Sequence, residues 1–158
     1  MSQAGAAQVL DPSPRLPSNA AMFVLDERLV RDSVPVLPKL RISQLRLMSD
    51  ARYPWLLLVP EIEGAVDLHD LSPDACALLV AEARACSQAL ADLFGVAKTN
   101  VATLGNMVPQ LHVHVIGRRR DDPAWPGPVW GVGAAEPYAA DALAERVASL
   151  AAALRPPD

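Results

Sequence analysis

Residues 110–118 read Gln-Leu-His-Val-His-Val-Ile-Gly-Arg. Polar and apolar side chains alternate there with a period of two, and that period belongs to a β-strand. One face of the strand carries Gln110, His112 and His114, and the other carries Leu111, Val113 and Val115. The two imidazoles stand side by side, about 7 Å apart at their Cα atoms given the rise of a strand. The chain has 3 histidines, and two fall in this row. A row of this kind binds a phosphate, holds a metal, or faces other polar groups. Most of the functional question is a choice among those three.

The strand needs partners, and the rest of the chain supplies them. Hydrophobic residues make up 51% of the 158 and charged residues 20%, a balance that folds into one cored domain. Met22–Leu25 is a short apolar run and the expected first strand. Asp26–Val30 is expected to make one helical turn, and Ser33–Pro38, with two prolines, an extended connection. Ile42–Met48 alternates and Trp55–Val59 is continuously apolar, so the two are read as a hairpin closed by the turn 49–54.

Ser72-Pro73-Asp74 is a helix start: serine caps, proline fits the first turn, and aspartate favours the positive end. Gly95 stops that helix after Phe94, and Leu78, Leu79, Ala83, Cys86, Leu90 and Leu93 mark its apolar face. Asn100–Leu104 is expected as a strand, 105–109 as a loop, Leu111–Ile116 as the histidine strand, and 122–133 as irregular chain. Ala139–Leu154 is expected as a second helix. Strands joined by short loops pair antiparallel, so the expected class is α+β, about five strands covered by a long helix and a C-terminal helix. The expected division is a disordered tail over 1–19, the domain over 20–131, and a helical extension over 132–158 packed on it.

The formal net charge is −4, and the basic run Arg118–Arg120 is answered by Asp121 and Asp122, so no nucleic-acid partner is expected. Cys76 and Cys86 lie ten apart on one helix, about 15 Å along its axis, too far to bridge. They read as reduced thiols in a cytoplasmic protein. The N-terminus lacks a basic segment followed by an apolar one, and no apolar run approaches the ~20 residues of a membrane span. Neither export nor a membrane partner is expected.

A neutral imidazole attacks phosphorus and splits a displacement into two steps, while a second imidazole donates a hydrogen bond to the same phosphate. Backbone amides at Gly105 and Asn106, and the Asn106 side chain, are placed to receive phosphate oxygens. Arg118 either grips phosphate or pairs with Asp121 or Asp122. Trp125 and Trp130 either stack on a base or cover the sheet. His69 precedes the helix cap and reads as a surface residue; as a metal ligand beside His112 and His114 it lacks a carboxylate or thiolate partner.

The segment 106–118 resembles the signature of the histidine triad family, His-φ-His-φ-His-φ-φ with φ apolar, set on a late strand after a turn bearing glycine or asparagine. Upstream, Val59-Pro60 and the run Leu68-His69-Asp70-Leu71-Ser72-Pro73 are similar to the family's link from sheet to long helix, and the likeness spans roughly residues 21–130. The resemblance implies a meander sheet, a two-fold homodimer, and a nucleotide held at its α-phosphate. It implies hydrolysis or transfer of a dinucleoside polyphosphate or nucleoside phosphoramidate through a nucleotidyl-histidine. His112 maps to the nucleophile and His114 to the phosphate contact. Gln110 stands where the family has its first histidine; it cannot titrate but still exchanges hydrogen bonds. A nucleotide-binding protein with little catalysis is therefore the alternative. Ser49, or Asp50, occupies the hairpin turn where the family often has an asparagine touching ribose or phosphate. With Gly105, Asn106, Arg118 and Trp125, Ser49 completes the expected substrate contacts. The motif requires no cofactor; a divalent cation is expected only as companion to a polyphosphate.

Overall fold

The computed structural model describes residues 23–155. Its elements are α1 (Glu27–Asp32), β1 (Ser33–Leu37), β2 (Ser43–Met48), β3 (Trp55–Pro60), α2 (Pro73–Phe94), β4 (Lys98–Ala102), β5 (Val113–Arg118) and α3 (Ala140–Leu154). The strands form one antiparallel sheet in the order β1-β2-β3-β5-β4.

The central strand explains the layering. Every residue of β3 is buried, because both faces of the sheet are covered there. Leu56 and Leu58 point to a core shared with Leu45, Leu47, Val113, Val115 and the α2 residues Leu79, Ala83, Cys86 and Leu90. Trp55, Leu57 and Val59 point the other way, to a second cluster with Leu29, Tyr53 and Ile116. The period of two thus sorts β3 and β5 onto the same two sides. Burial in the first core pushes the Cys86 thiol up to about 12, which keeps it inert. Both cysteines are free.

The long helix begins and ends where its caps dictate. The Ser72 hydroxyl accepts from the Ala75 amide at 3.2 Å, Pro73 sits in the first turn, and Gly95 closes the helix at φ 57°, donating its N–H to Ala91. The apolar stripe holds at its centre, while Leu93 at the end is exposed. Helix α3 packs on α2 and β1 and sends Leu150 and Leu154 into the same core. Among the described residues, no helix is long and apolar enough to cross a membrane.

Three expectations are corrected. Phe23–Leu25 forms no strand; it is irregular chain packed on the second cluster. The outer strand is instead β1, within the segment read as a connection. Pro35 is tolerated because β1 lies at the sheet edge, and the register shifts between Pro35 and Leu37. The last two strands sit slightly off: β4 starts at Lys98 and β5 at Val113, leaving His112 just ahead of the strand. The expected tail over 1–19 lies outside the described residues.

Gly117 on β5 has a steric reason. A Cβ there would lie 2.7 Å from Val96 Cγ1 and 2.8 Å from Pro54 Cγ, while its amide donates to the Pro54 carbonyl at 2.8 Å. The far end of β5, beyond the histidines, is thereby pressed against the β2–β3 turn.

Candidate active site

His112 and His114 face away from α2, into a cleft of about 380 Å³ on the second side of the sheet. Trp55 and Leu57 of β3 lie beside them. Leu29 and Asp32 of α1, Met48 of β2, the loop 104–108 and Trp130 line the rest of the cleft. Each histidine is 6% exposed, so the pair is no solvent-facing ornament.

The two rings are set by different partners. His112 Nδ1 lies 2.7 Å from the Gln110 backbone carbonyl. A carbonyl only accepts, so Nδ1 carries the hydrogen and the neutral ring keeps its lone pair at Nε2. His114 is the reverse. The Trp55 indole Nε1–H donates to His114 Nδ1 at 2.9 Å, which leaves the hydrogen of the neutral ring on Nε2. The rings meet edge to face, with centroids 4.8 Å apart, and Trp130 stands against His114 at 5.3 Å. Burial, helped by repulsion from His112, holds the His114 pKa down to about 3. One imidazole therefore offers a lone pair and its neighbour an N–H, side by side.

The expected site residues divide. His112, His114, Gly105 and Asn106 line the cleft. The Gln110 carboxamide turns away, donating to the Val24 carbonyl and accepting from the Asp26 amide, both at 2.9 Å; only its backbone carbonyl meets His112. Ser49 borders a neighbouring hollow rather than the cleft, and its amide donates to the Asp32 carbonyl at 2.9 Å. Asp50 beside it is bound to Arg52 at 2.7 Å.

Arg118 is withdrawn from any ligand. It is 2% exposed, donates twice to Asp122 at 2.9 Å and once to Asn100 at 2.8 Å. Trp125 stacks against the guanidinium groups of Arg118 and Arg120 at 5.8 and 5.7 Å, so Trp130 is the tryptophan of this loop that reaches the cleft. His69 is exposed on a short 3-10 turn, 3.7 Å from Asp70. Among the described residues no group of three or more His, Cys, Asp or Glu is arranged to hold a metal ion.

Sequence reasoning missed Trp55, Leu29, Asp32 and Met48 as site residues. A signal existed for Trp55. The β3–β5 register sets Leu57 opposite His114, and Trp55 shares the Leu57 face two residues away. Nothing local to Leu29 or Asp32 announces a wall.

Comparison with known proteins places this arrangement in a class. The model of the HIT domain matches residues 36–121. Among solved structures, a histidine triad protein from Sinorhizobium meliloti is 43% identical, with 86% of this chain and 100% of that one covered and a TM-score of 0.82. One from Bradyrhizobium japonicum is 40% identical over 84% and 98% of the two chains, TM-score 0.81. One from Marinobacter aquaeolei is 42% identical over 85% and 97%, TM-score 0.81. No curated protein matches. The chain belongs to the HIT domain family, that of the histidine triad proteins, and its fold is theirs.

Proposed function

We propose that this protein binds a nucleotide with its α-phosphate between His112 and His114, and that it hydrolyses or transfers the nucleotidyl group through a covalent nucleotidyl-His112. The observation that supports the reading best is the opposed polarity of the two rings: a lone pair at His112 Nε2 and a donor at His114 Nε2. In the first step Nε2 attacks the α-phosphorus. An N–P bond forms, and the bond from phosphorus to the leaving oxygen breaks with its electron pair going to the leaving group. The His114 N–H and the amides of Gly105 and Asn106 receive the charge gathering on the phosphoryl oxygens. In the second step the oxygen of water, or of an acceptor hydroxyl, forms a P–O bond while the N–P bond breaks with its electron pair returning to His112 Nε2, and the proton of that oxygen is released to solvent.

The leaving group is the phosphate end of a nucleotide, so the substrate class is a dinucleoside polyphosphate. His114 is neutral at ordinary pH and the Gln110 carboxamide points elsewhere. Neither supplies a proton, which a phosphate leaving group does not need and an amine from a phosphoramidate does. For such amine-leaving substrates the second reading holds: binding with little turnover. A divalent cation enters only with the polyphosphate. A homodimer completes the proposal, joined at β4, an outer strand whose free edge lies beside the exposed side chains of Val80 and Val101.

The test is trapping. Protein quenched during turnover of diadenosine tetraphosphate should carry one adenylyl mass on the peptide containing His112. His112→Ala should lose both adduct and turnover while still binding adenosine 5′-monophosphate. Full turnover by His112→Ala would refute the mechanism, and light scattering gives the oligomeric state.

A further inference from the structure

We infer that Gln110 is a positioning residue whose side chain shapes the α1 side of the cleft, by holding the segment 23–32 in place, and takes no part in the chemical step. The inference rests on the reading of the cleft as a nucleotide site. Its grounds are separate. The carboxamide carries a donor and an acceptor at one end, and both are used on one stretch of backbone. Nε2 donates to the carbonyl of Val24, and Oε1 accepts from the amide of Asp26. These two groups belong to residues i and i+2, the pair that a neighbouring strand would engage through a single residue. Gln110 thus acts as a peptide surrogate for a segment that pairs with no strand among the described residues. An imidazole cannot do this, because its two nitrogens point in diverging directions.

What the clasp holds is a wall. Asp26 caps α1, its carboxylate accepting from the Arg28 amide at 2.9 Å. Helix α1 then places Leu29 and Asp32 in the cleft. Arg28 in turn donates to the backbone carbonyl of Met107, in the loop that also lines the cleft. One side chain therefore fixes α1, and through Arg28 ties α1 to the loop 104–108. A helix of 6 residues has little stability of its own and depends on such anchoring. The glutamine that replaces the family's first histidine is explained by what it grips and not by the reaction.

The test compares Gln110→Met, which keeps length and volume, with Gln110→His. Three readouts are taken: KM and kcat on diadenosine tetraphosphate, the Kd for adenosine 5′-monophosphate, and hydrogen exchange of segment 23–32 against α2 as an internal reference. Both variants should raise KM and Kd about tenfold, because only a fraction of molecules holds the competent wall, while kcat stays within about threefold. Exchange in 23–32 should quicken with α2 unchanged. A drop in kcat at constant KM, a rise in kcat on restoring histidine, or unaltered exchange in 23–32 would overturn the inference, as would equal loosening of α2. If the unaltered protein binds no adenosine 5′-monophosphate, the functional reading falls, and the exchange measurement alone still decides whether Gln110 holds the segment.

Discussion

The indole N–H of Trp55 donates to His114 Nδ1 over 2.9 Å, between neighbouring strands of the sheet. Both groups are buried, so the bond decides which nitrogen of His114 carries hydrogen. Trp55→Phe keeps most of the ring and removes the donor. A buried acceptor left unpaired costs roughly 1–3 kcal/mol, and the imidazole can relieve that cost by moving its hydrogen to Nδ1. His114 would then present a lone pair to a phosphoryl oxygen. The expected results are a loss of about 1–2 kcal/mol in unfolding free energy and a fall of about tenfold in kcat. Imidazole ¹⁵N shifts should show a changed tautomer. Unchanged shifts together with unchanged kcat would remove the indole from the mechanism.

The same burial makes stability depend on pH. The folded His114 pKa, about 3, lies below its ordinary 6.5, so as pH falls the unfolded chain takes up the proton first. Stability is whole above about pH 6.5 and drains away towards pH 3, by on the order of 4 kcal/mol over the whole window. The carboxylates act lower. Asp26, held down to about 2 by its hydrogen bond from Arg28, contributes stability that is present above its ordinary 3.8 and is lost below it. Glu61, held below its ordinary 4.5 by the hydrogen bond from Lys39, joins them near that value, so between about pH 6.5 and 5 the slope belongs to His114. His114→Asn keeps an acceptor for the Trp55 indole and cannot titrate. Denaturant titrations across that interval should be flat for the variant and sloped for the parent; equal slopes would refute the assignment.

What could be read beforehand followed the locality of its cause. Helix α2 was legible because Ser72, Pro73 and Gly95 are signals within the helix's own turns, and the β2–β3 hairpin because alternation and a turn sit side by side. Strand β1 was hidden by Pro35 within it and Pro38 just after it, since proline breaks a central strand but not an edge. Phe23–Leu25 imitated a strand because apolar residues pack equally well as irregular chain; what holds it is Gln110, 84 residues from Asp26 in sequence. At the site, the shared face of the histidine pair was legible from its period, and its reading as a site came from the likeness of segment 106–118 to the histidine triad signature. Arg118 was not, since a guanidinium fits a phosphate or a carboxylate equally and only the fold delivers Asp122. Nor was the choice between Trp125 and Trp130, which depends on how the loop 122–133 winds.

Gly117 sets how closely β5 meets the β2–β3 turn. A methyl group there would enter the space of Val96 and Pro54, at 2.7 and 2.8 Å, and Pro54 is held by the Gly117 amide itself. Gly117→Ala should cost about 1–3 kcal/mol through overpacking and lower the melting temperature by several degrees. Because the clash lies on the α2 side of the sheet, nucleotide affinity measured well below the transition should change little. A variant as stable as the parent would show that the turn yields without cost.

Asp122 and Arg118 are 3% and 2% exposed in their side chains, which makes the pair sensitive to loss of one member. Asp122→Ala leaves a guanidinium buried with Asn100 as its remaining described partner, and it also strips the acceptor from the amides of Arg119 and Ala124. Breaking a buried pair this way costs about 3–5 kcal/mol. Removing both charges, as in Arg118→Met with Asp122→Leu, should restore part of that loss but not all, because the two amides stay unpaired. The turn they form begins the loop that carries Trp130 over His114. Asp122→Ala should therefore raise KM more than it lowers kcat, and Trp130 fluorescence, read in a background of Trp55→Phe and Trp125→Phe, should shift towards the emission of an exposed indole. A stability loss below about 1 kcal/mol would place the pair with surface ion pairs and deny it this role.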